Sequence, residues 1–531
     1  MRRIFKSLKR SHLLILYLLG AIFIIASKRI EDYDIWYHLR TGEYIIKYQS
    51  IPHKDLFSHT AQGHPWITHE WLSQVIFHLF YHNLGLLSLI FLKASIVTLI
   101  FYLLFKIVYK FNQNLIQSVT LTFLAALVSV GSFSERPQLF SYLFFILLLY
   151  LLSIYPVRNL RNPGKSSISN GVNKNYLFIL PFLTALWANC HASFFLVFVV
   201  LVVFIFAEYV YPVRKLSPPS SPQRSSGVKS YLKAEATFRL RLLTVILFPT
   251  ILFSLINPNT YKLLLYPFGT IFNPMHTKYI LEWQSPNFHL LQTKIFEFML
   301  LLTILCFALS KEIDLTDLLL FLIFTHLALD SVRHLPLFAL VATPILGKHI
   351  SNLISLFSEI LEKFTARSLL IFNLRQKIKR VDKGVSLNIP LLNWLILLSL
   401  IIFLSYNLPH SNKFTSCVKV SEFPLGAAEF IKENNLKGNM FNEYDWGGFL
   451  IFKLYPDYRV FIDGRMDIYA DKVFLDYLKI GRLETGWEKI CRKYKIKFFL
   501  LKRDSPFAQA LREREDFKVI YQDKLSVIIK K

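Results

Sequence analysis

Long apolar runs dominate the first 408 residues of the chain. A bilayer core of roughly 30 Å takes about 20 apolar residues per helix, and roughly eleven runs approach that length. They lie near residues 12–27, 87–108, 116–132, 138–156, 176–190, 194–211, 241–256, 295–310, 315–331, 334–347 and 389–408. The pattern predicts an all-α polytopic membrane domain over residues 1–408 with about eleven transmembrane helices.

The pattern changes in residues 409–531, where short apolar stretches follow each other at alternating helical and strand periods. The strand-like stretches are NMFN, RVFIDG, IKFFLL, KVIYQ and LSVII, and helical segments separate most of them. Strands that alternate with helices indicate an α/β domain, and about 115 residues are enough for a core of its own. The chain is therefore predicted to end in a small C-terminal α/β domain.

Composition agrees with a membrane protein, since 53% of the residues are hydrophobic and only 18% are charged. The net charge of +26 does not indicate nucleic-acid binding, because the basic residues gather in alternate loops near 106–110, 158–174, 214–239 and 363–383. That distribution is the positive-inside signature. It predicts a multi-pass protein of the plasma membrane with a cytoplasmic N-terminus, a retained signal anchor in the first run, and an extracytoplasmic C-terminal domain.

Ionisable residues beside hydrocarbon are costly, and their positions discriminate between classes of membrane protein. A transporter or flippase places them near the bilayer midplane, where only Lys93 and His326 are candidates here. Most of the others lie at predicted outer ends of spans, namely Glu31, Asp32, Asp34, His69, Glu70, Glu135, Arg136, His191, Glu282, Asp330, Arg333 and His334. This distribution predicts a site at the outer membrane–water interface, which suits chemistry on a lipid headgroup.

The stretch DYDIWYHLRTGEYIIKY, residues 32–48, resembles the first outer loop of C-type glycosyltransferases. It is similar in particular to the Asp-x-aromatic-aromatic-Asn-x-Arg stretch of the oligosaccharyltransferase catalytic subunit, with His38 where that family has Asn. Further segments resemble uncharacterised bacterial membrane proteins of the same superfamily, among them GHPWITHEWLSQVIF, SERPQLFSYLF, LWANCHASFF, RHLPLFALVATP and DWGGFLIFKLYPDYRVFIDGR.

This resemblance implies inverting transfer of a sugar from a polyprenyl-phosphate-linked donor in the membrane to an extracytoplasmic acceptor, which is a glycan, lipid or protein. Inversion needs a carboxylate that takes the proton of the acceptor, and the candidate is Asp34. Glu135 is the second candidate acid, because it lies in the second outer loop, where the resemblance implies an acidic metal-binding motif. That motif is absent here as such. A divalent cation, Mg²⁺ or Mn²⁺, bound by Asp34 and Glu135 is therefore one alternative, and transfer without metal is the other.

The departing phosphate needs cationic stabilisation, for which guanidinium groups are suited. The candidate substrate-binding residues are Arg40, Arg136, His191, Arg333, His38 and Glu70. Each assignment has a structural alternative: Asp34 as a helix cap, Arg40 paired with Glu43 or Asp34, and Glu135 paired with Arg136.

Other functions and one covalent feature stay open at this level. A ligase or polymerase of surface polysaccharide would rely on arginine and histidine instead of a carboxylate base, and a flippase or inactive scaffold would need no base. The acidic tail motif around Asp463 is interpreted as structural or acceptor-binding. Cys417 and Cys491 share the exported domain, so they form either a disulfide or two buried thiols.

Overall fold

The computed structural model describes residues 10–154, 174–215, 226–271, 273–310, 312–365, 390–408 and 411–531. The basic n-region of the predicted signal anchor and most of the predicted cytoplasmic loops near 158–174 and 363–383 lie outside these residues. In the described part, the predicted membrane domain has a longer non-helical loop at residues 49–70 and otherwise consists mainly of helices. They are α1 (Arg10–Ala26), α2 (Ile35–Tyr48), α3 (Trp71–Leu84), α4 (Leu86–Asn112), α5 (Leu115–Ser129), α6 (Gln138–Ile154), α7 (Leu180–Cys190), α8 (Leu196–Lys215), α9 (Ser226–Ser254), α10 (Tyr261–Ile271), α11 (Pro274–Tyr279), α12 (Leu291–Ala308), α13 (Leu315–Asp330), α14 (Leu335–Thr365) and α15 (Pro390–Asn407).

Each of the predicted apolar runs coincides with one of these helices. Six helical stretches of the described residues are long and apolar enough to cross a membrane: Leu86–Asn112, Leu115–Ser132, Ala192–Val210, Thr237–Ser254, Leu291–Ala308 and Val332–Ile360. Shorter apolar helices occupy Ser11–Ala26, Gln138–Ile154, Tyr176–Cys190 and Asn393–Phe403. The chain is therefore a multi-pass helical membrane protein, while the number of eleven spans stays a prediction.

Two helices between α1 and α4 are too polar to be spans, and they form a platform at one end of the helical bundle. These helices, α2 and α3, pack against each other where a Cβ on Gly42 would clash with the backbone carbonyl of Gln74. The close approach therefore requires glycine at this position. The opposite face of α2 buries Trp36, whose ring packs against Phe423 and Phe449 of the C-terminal part. The platform thus connects the helical bundle to the C-terminal domain.

The C-terminal part is the predicted α/β domain. Its elements are α16 (Phe414–Cys417), α17 (Leu425–Glu433), β1 (Asn439–Asn442), α18 (Gly447–Leu454), α19 (Ala470–Gly481), α20 (Trp487–Lys493), β2 (Ile496–Lys502), α21 (Pro506–Arg512), β3 (Lys518–Gln522) and β4 (Ser526–Lys530). The sheet has the order β1-β2-β4-β3, with β1 and β2 parallel and the other neighbours antiparallel. Helices and strands alternate as the sequence pattern predicts.

One predicted strand, RVFIDG at residues 459–464, is not part of this sheet. Its backbone hydrogen bonds go to the first outer loop instead, since Val460 N donates to Phe57 O at 3.0 Å and His59 N donates to Val460 O at 3.0 Å. The strand prediction was wrong in this respect, because the alternating pattern does not reveal which segment satisfies the backbone donors and acceptors.

A buried ion cluster joins the same segment to the outer loop. The Arg465 guanidinium lies 2.6 Å from Asp463 Oδ2 and 3.0 Å from Asp55 Oδ1, and all three side chains are buried. Its carbon Cζ lies 4.7 Å from the centre of the Trp66 ring and 5.0 Å from that of Phe57. A buried charge is stable only when it is paired and hydrogen-bonded, so this cluster holds the two segments in one relative position. It also agrees with the structural interpretation of Asp463.

All four cysteines are free and buried, so the structure shows thiols and not a disulfide at Cys417 and Cys491. We predict that a maleimide reagent modifies both residues slowly in the folded protein and completely after denaturation without reductant. Burial of the sulfur atoms is the physical reason. Mass spectrometry of the labelled chain measures the extent of labelling at each cysteine. If labelling of the denatured chain requires reductant, the two cysteines form a disulfide instead.

Candidate active site

Asp34 lies at the start of α2, at the junction of the platform with the helical bundle. Its side chain makes no capping hydrogen bond to α2, which removes the helix-cap alternative. The carboxyl group is 21% exposed and is covered on one side by the C-terminal domain, where a Cβ on Gly464 would clash with Asp34 Oδ1. The carboxylate is therefore accessible from one side only.

Arg136 is the centre of a cluster of three carboxylates. Its Nε contacts Asp32, its Nη1 contacts Glu282, and its Nη2 lies 3.2 Å from Asp34 Oδ2. The predicted partner Glu135 contributes nothing to this cluster. With all groups ionised, three negative charges surround one positive charge, so the cluster has a negative net charge.

This environment changes the acidity of Asp34. Burial raises the pKa of Asp34 to about 7, because the Arg136 guanidinium offsets the desolvation only in part and the charges of Asp32, Glu282 and Glu70 add to it. Burial also acts to raise the pKa of Glu282, but Arg136 and Arg333 outweigh it and hold that pKa below its usual range. Of Asp34 and Glu282, Asp34 is thus the carboxyl group whose pKa lies near neutral pH.

Glu135 forms a separate buried ion pair. Its Oε1 lies 2.6 Å from Lys93 Nζ, both side chains are only 2% exposed, and Lys93 also donates to Lys28 O at 3.1 Å. The ammonium of Lys93 thus neutralises the charge of Glu135. Lys93 was one of two candidates for the midplane charge that a flippase would need, and this ion pair gives it a structural role instead. The role of Glu135 as second catalytic acid stays a prediction, and its burial argues against direct contact with substrate.

A second ionisable cluster surrounds Glu70. His69 Nε2 lies 3.5 Å from its carboxylate, and His38 Nδ1 and His191 Nε2 lie 3.8 Å from it. Burial would raise the pKa of Glu70, but the three imidazoles hold it well below its usual range. The structure therefore brings together the three predicted candidates His38, Glu70 and His191 and adds His69.

The three histidines of this cluster have different protonation. Burial opposes the charge of His69, but Glu70 outweighs it and raises the pKa. Burial lowers the pKa of His38 to about 4 and that of His191 to about 3. At neutral pH the cluster therefore contains an ionised Glu70 beside two neutral imidazoles, which can donate or accept hydrogen bonds.

Arg333 lies in the short turn between α13 and α14. Its guanidinium stacks on the Trp283 ring, with Cζ 4.5 Å from the ring centre. In the part of the chain that the structure describes, no Asp or Glu oxygen lies within 4.0 Å of the Arg333 side-chain nitrogens. Of the two arginines predicted to hold phosphate, Arg333 is therefore the one whose guanidinium is not already bound by carboxylates.

The Arg40 guanidinium is engaged in contacts within the protein. Its Nη1 pairs with Glu43, as the structural alternative proposed, and its Nη2 donates to Phe452 O at 2.8 Å and Tyr455 O at 2.7 Å. Both terminal nitrogens are thus engaged, Nη1 within α2 and Nη2 in joining α2 to the C-terminal domain. A substrate contact of Arg40 stays a prediction without support from its geometry.

The carboxylates do not fit a bound divalent cation as they stand. Among the described residues, no group of three or more His, Cys, Asp or Glu is arranged to hold a metal ion. The guanidinium of Arg136 occupies the centre of the acidic cluster, and the ammonium of Lys93 binds Glu135. Both acids predicted as metal ligands, Asp34 and Glu135, are therefore paired with side-chain cations.

Several site residues were not among the predicted ones. Asp32 and Glu282 were noted only as acids at outer ends, and their position there was the available signal. The Tyr266 ring packs against His69 in a tilted arrangement with ring centres 4.5 Å apart, and its hydroxyl donates to Asp467 Oδ2 at 3.1 Å. These two residues close the Glu70 cluster from α10 and from the C-terminal domain. No local pattern identifies them.

Neither a family model nor a curated protein matches this chain. The solved structures that are similar to this chain include the archaeal oligosaccharyltransferase AglB from Archaeoglobus fulgidus, in complex with an inhibitory peptide and a dolichol-phosphate. Its TM-score is 0.55 at 11% identity over 92% of this chain and 69% of that one. A second structure of the Archaeoglobus fulgidus oligosaccharyltransferase, tethered with an acceptor peptide containing the NVT sequon, has a TM-score of 0.51 at 13% identity and the same coverage. At these identities the likeness establishes the fold alone: the chain has the fold of these oligosaccharyltransferases, which agrees with the resemblance stated for residues 32–48.

Proposed function

We propose that this protein is an integral-membrane glycosyltransferase that moves a sugar from a polyprenyl-phosphate-linked donor to an extracytoplasmic acceptor, with inversion. The observation that carries the proposal is Asp34, a partly exposed carboxyl group with a pKa of about 7 in a chain with this fold. One structural neighbour is in complex with a dolichol-phosphate and the other is tethered with an acceptor peptide, which supports a lipid-linked donor.

In this proposal Asp34 is the general base. The acceptor attacks the anomeric carbon on the face opposite the phosphate, and the new bond forms as the bond from carbon to the phosphate oxygen breaks. The bonding electrons leave with the phosphate, while the proton of the acceptor moves to the Asp34 carboxylate. A pKa near the working pH favours this role, because the base is ionised in a large fraction of molecules and still accepts a proton readily.

Arg333 is the proposed ligand of the departing phosphate. Its guanidinium offers several donors in a fixed plane, and the Trp283 ring supports one of its faces. Arg136 is a weaker candidate, because its three nitrogens already contact carboxylates. Phosphate that approached Arg136 would also meet the negative charge of that cluster.

The Glu70 cluster is the proposed contact for the sugar. An ionised carboxylate accepts hydrogen bonds from hydroxyl groups, and the neutral imidazoles of His38 and His191 add donors or acceptors beside it. The electrostatic effect of Glu70 on Asp34 supports a common site for the two clusters.

The proposal requires that both clusters face the extracytoplasmic side. We predict that reporters fused after residues 60 and 420 report an external position, and that fusions after residues 225 and 370 report a cytoplasmic one. The positive-inside distribution is the physical reason. Paired phosphatase and fluorescent reporters measure the side of the membrane on which each fusion point lies. If two of the four fusions report the opposite side, Asp34 would lie in the wrong compartment for this proposal.

The second prediction concerns the base. Asp34→Asn keeps the size of the side chain but removes the basic carboxylate, so we expect turnover to fall by about 10²–10⁴-fold. The assay is sugar release from a polyprenyl-phosphate-linked donor in liposomes, with donor binding measured separately. Binding should change much less than turnover, because the base acts on the acceptor.

Glu43→Gln is the matched control for this variant. Glu43 belongs to the same platform helix and is also paired with an arginine, but its contact is with Arg40 at the protein surface. Turnover of the control should stay near that of the wild type. Undiminished turnover in Asp34→Asn would refute the base assignment and favour a ligase-like reaction that relies on Arg333 and the histidines.

The third prediction follows from the raised pKa of Asp34. The base works in its ionised form, so kcat should rise with pH up to about 7 and then level off. A carboxylate with its ordinary pKa of about 4 would give a flat profile over the same range. Measurements from about pH 5.5 to 8.5 in liposomes check this, and a flat profile with an unchanged rate-limiting step would contradict a base with this pKa.

A further inference from the structure

Three carboxylates at one point normally require a cation. Asp32, Asp34 and Glu282 come from two separate parts of the chain, and each contacts a different nitrogen of Arg136. Oxygen atoms of several carboxylates are also the ligands that Mg²⁺ and Mn²⁺ prefer. In this protein a covalently attached guanidinium occupies the position between them.

The charge balance makes this cation indispensable. The Asp32 side chain is 7% exposed and the side chains of Asp34 and Arg136 are each 21% exposed, so water screens the repulsion between Asp32 and Asp34 poorly, whereas Glu282, at 37% exposed, is better screened. Carboxylates at such short separation cannot all ionise unless a positive charge lies between them. Arginine keeps that charge at every physiological pH, which a lysine or histidine would not do as reliably.

A second pair follows the same principle. Glu135 was the other acid expected to bind metal, and its carboxylate is bound by Lys93 at 2.6 Å in a buried position. The two acidic positions at which a divalent cation was expected therefore each have a positively charged side chain of the protein. Because the Lys93–Glu135 pair consists of different residues, it is independent evidence that side-chain cations take the place of a metal ion here.

We infer that the Arg136 guanidinium is the resident cation of this site and replaces a divalent metal ion there. The wild-type site accordingly needs no Mg²⁺ or Mn²⁺, and removal of the guanidinium converts the three carboxylates into a divalent-cation site. The statement about metal-independent turnover rests on the proposed function. The statement about cation binding does not.

The first test measures binding of Mn²⁺ to the purified full-length protein in detergent, by electron paramagnetic resonance and by the melting temperature. The wild type should bind no stoichiometric Mn²⁺. Arg136→Ala should melt at a lower temperature, bind one Mn²⁺ more tightly than the wild type by at least about tenfold, and regain melting temperature when Mn²⁺ is added. The double variant with Asp32→Asn should lose most of this binding.

Arg40→Ala is the matched control. It removes a guanidinium that contacts a single carboxylate, Glu43, so no group of carboxylates remains to bind a cation. Added Mn²⁺ should therefore leave its melting temperature unchanged. If Arg136→Ala is not recovered as folded protein, Arg136→Gln serves in its place, because it retains a polar side chain without the charge.

The second test measures sugar release in the presence of EDTA. Wild-type turnover should persist, whereas Arg136→Ala should lose turnover in EDTA and regain part of it with Mn²⁺. Stoichiometric Mn²⁺ in the wild type, or loss of its turnover in EDTA, would overturn the inference, and so would an Arg136→Ala protein that binds no Mn²⁺. If the wild type releases sugar from no donor tested, the proposed function fails, and the binding measurements alone decide the inference.

Discussion

The buried ion cluster of Arg465 with Asp55 and Asp463 is the contact on which the arrangement of the site depends. Asp55 belongs to the loop between α2 and α3, whereas Asp463 and Arg465 belong to the C-terminal domain, so the guanidinium joins the two segments. Separation of the domain would leave the Arg465–Asp463 pair intact but would remove the guanidinium from Asp55 and from the rings of Phe57 and Trp66, which is unfavourable. The cluster therefore holds the loop and the C-terminal domain in one relative position.

Gly464 connects this ion cluster to Asp34, the proposed base. Gly464 is held between Asp463 and Arg465 and lies directly against the carboxylate of Asp34, where no side chain would fit. The C-terminal domain thereby covers one side of Asp34, and burial as a whole is the largest contribution to its raised pKa. In this way a domain without a proposed catalytic residue of its own contributes to the burial that raises the pKa of the proposed base.

Local sequence pattern was sufficient for the parts of the fold that local forces determine. Apolar runs of bilayer length predicted the helices, because backbone hydrogen bonds inside a membrane must be made within the segment itself. The change of period after residue 408 predicted the α/β domain, and four of the five strand-like stretches form its sheet. The gathering of acids and histidines at the predicted outer ends pointed to the region in which the structure forms two ionisable clusters, which contain Asp34, Glu70 and His191.

Only the tertiary structure decided which of these groups are partners. Arg136 meets Glu282, a residue 146 positions away, and Glu135 is paired with Lys93 and not with its neighbour in sequence. Likewise RVFIDG pairs with the outer loop, although its alternation is that of a sheet strand. The sequence by itself determined where charge is concentrated, because composition and hydropathy are local properties. It did not determine how the charges are neutralised, since that depends on distances that arise only when separate helices and the C-terminal domain pack together.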